Sequence, residues 1–152
     1  MNNIDELPVP DEKFSSDDNP TSLIRIKIVT GENSNVFSNV LLDTGSHFSV
    51  INSRYAHKLG LRLQNLQQGD IKYVMMANSQ LVSISCKVRM QLQIGNLTLH
   101  EWAYCVPTLS QNIILGLKFM RNNGVNLLND RGIVKIMGVK IPFVSRTTLV
   151  LP

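Results

Sequence analysis

The stretch Val40-Leu41-Leu42-Asp43-Thr44-Gly45-Ser46 decides how this chain is read. Three apolar residues running into an acid and then Thr-Gly-Ser describe a buried strand that ends in a tight loop, with a carboxylate where an apolar side chain would be expected. Gly45 lets the backbone turn sharply and approach other groups closely, while Thr44 and Ser46 supply short hydroxyls beside the acid. A carboxylate held in this way answers to its neighbours rather than to bulk water, so it reads as a chemical group. The plainer alternative is an Asx-type turn in which Asp43 caps its own loop. A bare Asp-Thr-Gly does not separate the two, and the flanking residues must.

The longer run from Leu41 to Ile51, LLDTGSHFSVI, is followed some seventy residues later by Ile114-Leu115-Gly116. Together these resemble the retropepsin-like aspartic proteases of retroviruses, retrotransposons and their cellular relatives. The resemblance runs from about Leu23 to about Phe143, in the family's order of strand, catalytic loop, short helix, flap hairpin, long hairpin, Ile-Leu-Gly strand, short helix and last strand. It implies an all-β fold with two short α-helices, a closed or partly closed barrel that carries the active-site loop. Pepsin-like relatives hold two such motifs in one long chain; this one holds a single motif, so the resemblance implies a symmetric homodimer. Asp43 and its counterpart would then meet on the two-fold axis, share one proton and activate a water for attack on a peptide bond. By the same resemblance, Thr44 ties the two loops across the axis, Gly45 lines the substrate groove, Ser46 hydrogen-bonds the carboxylate, and Ile114, Leu115 and Gly116 form the strand packed beside the loop.

Composition sets outer limits. A chain of 152 residues with 43% hydrophobic content suffices for one core. The start, MNNIDELPVPDEK, has neither the basic nor the apolar segment of a secretory signal, and no stretch is long and apolar enough to cross a membrane. A location in the cytoplasm or within a virus-like particle, without secretion, is therefore expected. Cys86 and Cys105 lie in strand-like apolar surroundings at no metal-ligand spacing, which predicts reduced, buried thiols, with a cross-strand disulfide as the less favoured alternative. Residues 1–18 hold six acids against Lys13, so the remainder carries a charge of +9 within the overall +4. Its basic residues are scattered singly, without an aromatic-interleaved stripe, so nucleic acid is not the expected partner.

Residues 1–20 are acidic and punctuated by Pro8, Pro10 and Pro20, which predicts a disordered leader before a domain over 21–152. Alternation from Leu23 to Val29 predicts a half-buried strand, and Val36 to Leu42 its partner. Phe48, Val50 and Ile51 predict a short strand, after which Asn52 or Ser53 caps a helix from about Arg54 to Leu59, stopped by Gly60. A hairpin of Ile71–Met76 and Leu81–Val88 corresponds to the family's flap, with Met75, Met76, Ala77, Asn78 and Ser79 as candidate substrate contacts. Family tips commonly carry glycine; here Asn78 is expected to tolerate a positive φ. Gly95-Asn96 predicts the turn of a long hairpin, with Trp102 and Tyr104 as core or sheet-covering aromatics on its return strand. A helix over Leu117–Asn122 and a hairpin around Gly138 follow. The strand-like tail at 146–152 predicts an interface strand.

Two departures stand out. Retroviral members place an acid where this chain has His47 and an Arg where it has Leu117, which points towards a retrotransposon-type or domesticated cellular relative. No nucleotide, zinc or serine-hydrolase motif is present, so neither metal nor cofactor is expected. The competing reading is a catalytically weak or inactive dimer that binds a peptide or protein, and a weaker one is a nucleic-acid-binding barrel.

Overall fold

The computed structural model describes residues 22–76 and 78–144. Strands β1 (Leu23–Gly31) and β2 (Ser34–Leu42) form an antiparallel hairpin, with Ile24, Ile26 and Ile28 buried and Arg25 exposed, as the period-2 pattern requires. After β3 (Val50–Asn52), helix α1 (Ser53–Lys58) starts where Asn52 Oδ1 accepts the Tyr55 N–H. It ends before Gly60, whose φ of 72° closes the turn. Next come β4 (Leu63–Asn65), β5 (Tyr73–Met75), β6 (Leu81–Ser83), β7 (Cys86–Ile94), β8 (Leu97–Val106), β9 (Ile113–Leu115), and α2 (Leu117–Asn122). The order ends with β10 (Val125–Leu128), a 3-10 turn at Asn129–Arg131, β11 (Ile133–Ile136) and β12 (Val139–Pro142).

The main sheet runs β1-β2-β9-β3-β8-β7-β4, and β7 also pairs with β1, so six strands close into a barrel with β4 at its side. This is the expected all-β barrel with two short helices. Two of its pairings, β2 with β9 and β3 with β8, are parallel. Such strands are covered on both faces and read as unbroken apolar runs, here Val40-Leu41-Leu42 and Ile113-Ile114-Leu115. Val40, Leu42, Ile113 and Leu115 point into the main core; Leu41 and Ile114 point into a second cluster with Ile71, Val74 and Ile84. The strand that delivers Asp43 is therefore held from both sides.

Three expectations need correction. The run Leu81–Val88 is two strands rather than one: Val82 and Ile84 pack on the second cluster, whereas Val88 belongs to the main core, so the chain bends between them and β5 pairs with β6 over only three residues. Strand β10, which pairs with β11 in a three-stranded sheet with β12, is absent from the sequence reading, and so is the fully exposed β4. Phe48 lies outside β3 and packs against the second cluster. Ala77, the leader and the 146–152 tail lie outside the described residues. Among the described residues no helix is long and apolar enough to cross a membrane.

Cys86 and Cys105 are free thiols, half-buried and buried respectively. Lys87 pairs with Tyr104, so the register carries the two cysteines opposite one another. Burial, reinforced by the Cys86 thiol, pushes the Cys105 thiol up to about 12. An aromatic disulfide reagent at mildly alkaline pH is accordingly expected to modify Cys86 first and Cys105 only on unfolding; equal rates for both would contradict this packing.

Candidate active site

Asp43 is the residue at which β2 leaves the barrel. Its N–H donates to the Leu115 carbonyl at 3.1 Å, extending the β2–β9 pairing by one step, so the barrel itself fixes where the carboxylate starts. The side chain is buried, at 2% exposure. Its Oδ1 accepts the Gly45 N–H at 2.9 Å, and the Ser46 N–H returns to the Asp43 carbonyl at 3.1 Å. The Asx-type turn and the placed acid, alternatives in sequence terms, are one structure. Thr44 is exposed at the loop's apex. Ser46 departs from expectation: its single hydroxyl proton goes to the Phe48 carbonyl at 2.7 Å, bracing the far side of the loop rather than the carboxylate.

Three consecutive N–H groups leading into α2 hold this loop. Gly116 donates to Ser49 Oγ at 3.1 Å, Leu117 to the Ser46 carbonyl at 2.6 Å and Lys118 to the His47 carbonyl at 3.1 Å. The contact is so close that a Cβ on Gly116 would lie 2.5 Å from the Phe48 oxygen and 2.6 Å from the Ser46 oxygen. Thus Leu115 meets Asp43 and Gly116 meets Ser46, while Ile114 pairs with Leu41. At the positions that would hold an acid and an Arg in retroviral members, the His47 carbonyl accepts the Lys118 N–H and the Leu117 N–H donates to the Ser46 carbonyl, so the two segments meet through adjacent backbone groups. His47 stands edge-on to Phe48 with ring centroids 4.8 Å apart, and Lys118 Nζ lies 5.6 Å from the centre of the same ring.

Sequence reasoning passes over two residues that support the loop. Ser49, 1% exposed, donates to Glu101 at 2.7 Å while accepting from Gly116. Glu101 occupies an inward position of β8, paired with the fully buried Met90. Burial pushes its carboxyl above the ordinary range, and Ser49, the Trp102 N–H and Lys118 offset only part of that. The signal is legible: in the alternation Leu97, Leu99, Glu101, Ala103, Cys105, an acid takes an apolar place.

The β5–β6 hairpin rests on the second cluster. Met76 packs against it, whereas Met75 pairs with Leu81 on the opposite face from buried Val74. At the tip Ser79, not Asn78, adopts the positive φ of 65°, because Asn78 is engaged locally, its Oδ1 accepting the Gln80 N–H at 2.9 Å. Asp70 ties down the hairpin's root, accepting from Tyr104 Oη at 3.0 Å, the Gln67 N–H at 2.7 Å and Lys87 Nζ at 3.0 Å. Burial alone would raise this carboxyl, yet those donors hold it below the ordinary range. A depressed carboxyl contributes stability above its unfolded pKa of roughly 4 and loses it as pH falls through the folded value. Asp70→Asn is expected to lower the melting temperature at pH 7, at a cost of about 1 kcal/mol, with the gap to the unsubstituted chain closing on acidification below the ordinary carboxyl range; a gap independent of pH would contradict the ionic role. Gly116→Ala is expected to cost roughly 1–3 kcal/mol, since backbone oxygens must move to admit the methyl group; an unchanged melting temperature would refute the close approach.

Residues 29–122 match the family described as "gag-polyprotein putative aspartyl protease". Among solved structures, the retroviral protease-like domain of Ddi1 from Leishmania major superposes with a TM-score of 0.66 at 16% identity, covering 88% of this chain and 99% of that one. The EIAV protease in complex with the inhibitor HBY-793 gives a TM-score of 0.53 at 16% identity, covering 74% of this chain and 97% of that one. No curated protein sequence matches the chain. With a barrel closed around β2 and β9, an Asp-Thr-Gly loop at its rim and a family match over most of the described residues, the chain belongs to the retropepsin-like aspartyl proteases of gag polyproteins.

Proposed function

We propose that this chain is an aspartic endopeptidase that works as a symmetric homodimer, with Asp43 and its counterpart forming the catalytic dyad. The observation that carries the proposal is the placement of Asp43: a buried carboxylate at the end of a doubly covered strand, its loop clamped by three consecutive backbone donors. A buried acid gives up solvation, and a part in chemistry accounts for its being kept there. One carboxylate would deprotonate the attacking water while the other protonates the carbonyl oxygen, the proton later passing to the leaving amine. Exposed Thr44 would meet its counterpart across the axis. The β5–β6 hairpin, rooted by Asp70, would act as the flap, with Met75, Met76, Asn78 and Ser79 at or near the substrate and Ala77 between them. The substrate in this reading is an extended segment of a polyprotein, processed by a retrotransposon-type or domesticated enzyme.

The tail fits the same reading. The described chain ends at Val144, whose N–H donates to the Leu23 carbonyl at 2.7 Å, and Leu23 pairs with Leu41 two residues before Asp43. In this reading residues 146–152 would contribute to the contact between the two copies.

A second reading, a dimer that binds extended peptide without cutting it, draws on His47 and Leu117 at positions where retroviral members hold an acid and an Arg. One substitution separates the two. Asp43→Asn is expected to reduce cleavage of a denatured protein at mildly acid pH by at least about a thousandfold while the barrel stays folded; cleavage near the unsubstituted rate would remove Asp43 from the chemistry, and a wild-type chain that holds peptide but never cuts it would favour the binding module. Specific activity is also expected to rise with protein concentration until the dimer saturates, and removal of residues 146–152 to shift that curve to higher concentration. Activity per chain that is flat on dilution would refute the dimer.

A further inference from the structure

Beyond residue 20 the chain contains only five acids, Glu32, Asp43, Asp70, Glu101 and Asp130. Glu32 and Asp130 are exposed, Asp43 is the candidate catalytic group and Asp70 roots the hairpin. Glu101 remains: it supports the loop through Ser49, and nothing said so far requires that support to be an acid. It faces inward from β8 in the row that carries buried Ala103 and Cys105, opposite fully buried Met90. A carboxylate there gives up solvation, and its surroundings return little. β7 presents apolar Met90, α2 presents the cation of Lys118, its own strand offers the Trp102 N–H, and the catalytic loop offers Ser49.

We propose that Glu101 is a positioning residue that orients the catalytic loop through Ser49 and Gly116, and that its charge state sets how firmly the loop is held. An ionised carboxylate can only accept. It therefore fixes the Ser49 proton towards itself at 2.7 Å and leaves the hydroxyl lone pairs facing the Gly116 N–H at 3.1 Å. The relay runs one way, from Gly116 N–H to Ser49 Oγ–H to Glu101. Gly116 is also the residue at which the Ser46 and Phe48 carbonyls occupy the space a Cβ would need, so what holds its N–H holds the loop. Once protonated, Glu101 becomes a donor as well, loses its attraction for Lys118, and frees the Ser49 hydroxyl to rotate. The loop then loosens as pH falls.

Stability moves the other way. A carboxyl raised in the folded state favours folding below its unfolded pKa and loses that contribution as pH rises through the folded value. Glu101→Gln should therefore melt higher than the unsubstituted chain at alkaline pH, with the difference shrinking on acidification, while its amide oxygen still accepts from Ser49. A purely structural Glu101 would give one constant difference.

The consequence for catalysis rests on the aspartic-protease reading of Asp43, but the coupling does not, and its test needs no cleavage. In the full-length Asp43→Asn chain, which removes the titration of residue 43, the Gly116 amide resonance is followed by NMR between about pH 4 and pH 8. It is expected to follow a single titration with its midpoint above that of an ordinary glutamate. Adding Glu101→Gln, which is neutral at every pH, is expected to flatten that titration and to hold amide protection at 116–118 near the level that the Glu101 chain reaches at acid pH, whereas Glu101→Ala is expected to speed exchange at least about tenfold. A Gly116 resonance that ignores pH in the Asp43→Asn chain would overturn the proposal. So would a titration that survives Glu101→Gln, which would belong to another group. Both outcomes can be read in a chain that never cuts peptide.

Discussion

Gly116 has no Cβ, and the Asp43 loop lies where one would be. The Ser46 and Phe48 carbonyls approach that position far inside van der Waals contact, which only glycine permits. This contact lets the N–H groups of Gly116, Leu117 and Lys118 reach Ser49, Ser46 and His47 in succession. Since β9 pairs in parallel with β2 up to Leu42 and beyond it to Asp43, one short segment fixes the carboxylate from the strand side and the loop from the helix side. Helix α2 is only six residues long and would not persist alone in water. It is held by Phe119 and Met120 in the core, and by the loop it clamps.

Much of this is legible in the sequence because it follows from short-range rules. The apolar runs before Asp43 and Gly116 announce strands covered on both faces, and the stop at Gly60 and the turn at Gly95 follow from where the chain must take a positive φ. What escapes depends on tertiary choice. Strand β4 is exposed at all three positions, so no periodicity marks it. The run Leu81–Val88 keeps one parity throughout yet serves two cores, and parity alone cannot say that a strand changes sides. Resemblance assigns the Ser46 hydroxyl to the carboxylate, but the Phe48 carbonyl competes for the same proton and takes it. Ser49 and Glu101 are 52 residues apart and meet only because β3 and β8 pair in parallel, though the misplaced acid in β8 is itself a visible warning.

Negative charge in the body is concentrated at the Asp43 loop and its supports. The body is strongly basic, and three of its few acids sit at the loop, the loop's support and the root of the β5–β6 hairpin. The two supporting acids are shifted in opposite directions for a physical reason. Asp70 has cationic and hydroxyl donors gathered around it and stays ionised to low pH. Glu101 loses more to burial than Ser49, the Trp102 N–H and Lys118 return, and holds its proton more readily. Acidification would thus leave the hairpin root intact while altering the support of the loop.

The central claim is that two chains build one catalytic centre from two copies of Asp43. Titration calorimetry with pepstatin, a transition-state mimic whose hydroxyl occupies the place of the attacking water, tests it most directly. The account predicts saturable binding at mildly acid pH with one inhibitor for every two chains, abolished by Asp43→Asn. Binding of one inhibitor per chain, or binding that survives loss of the carboxylate, would contradict it.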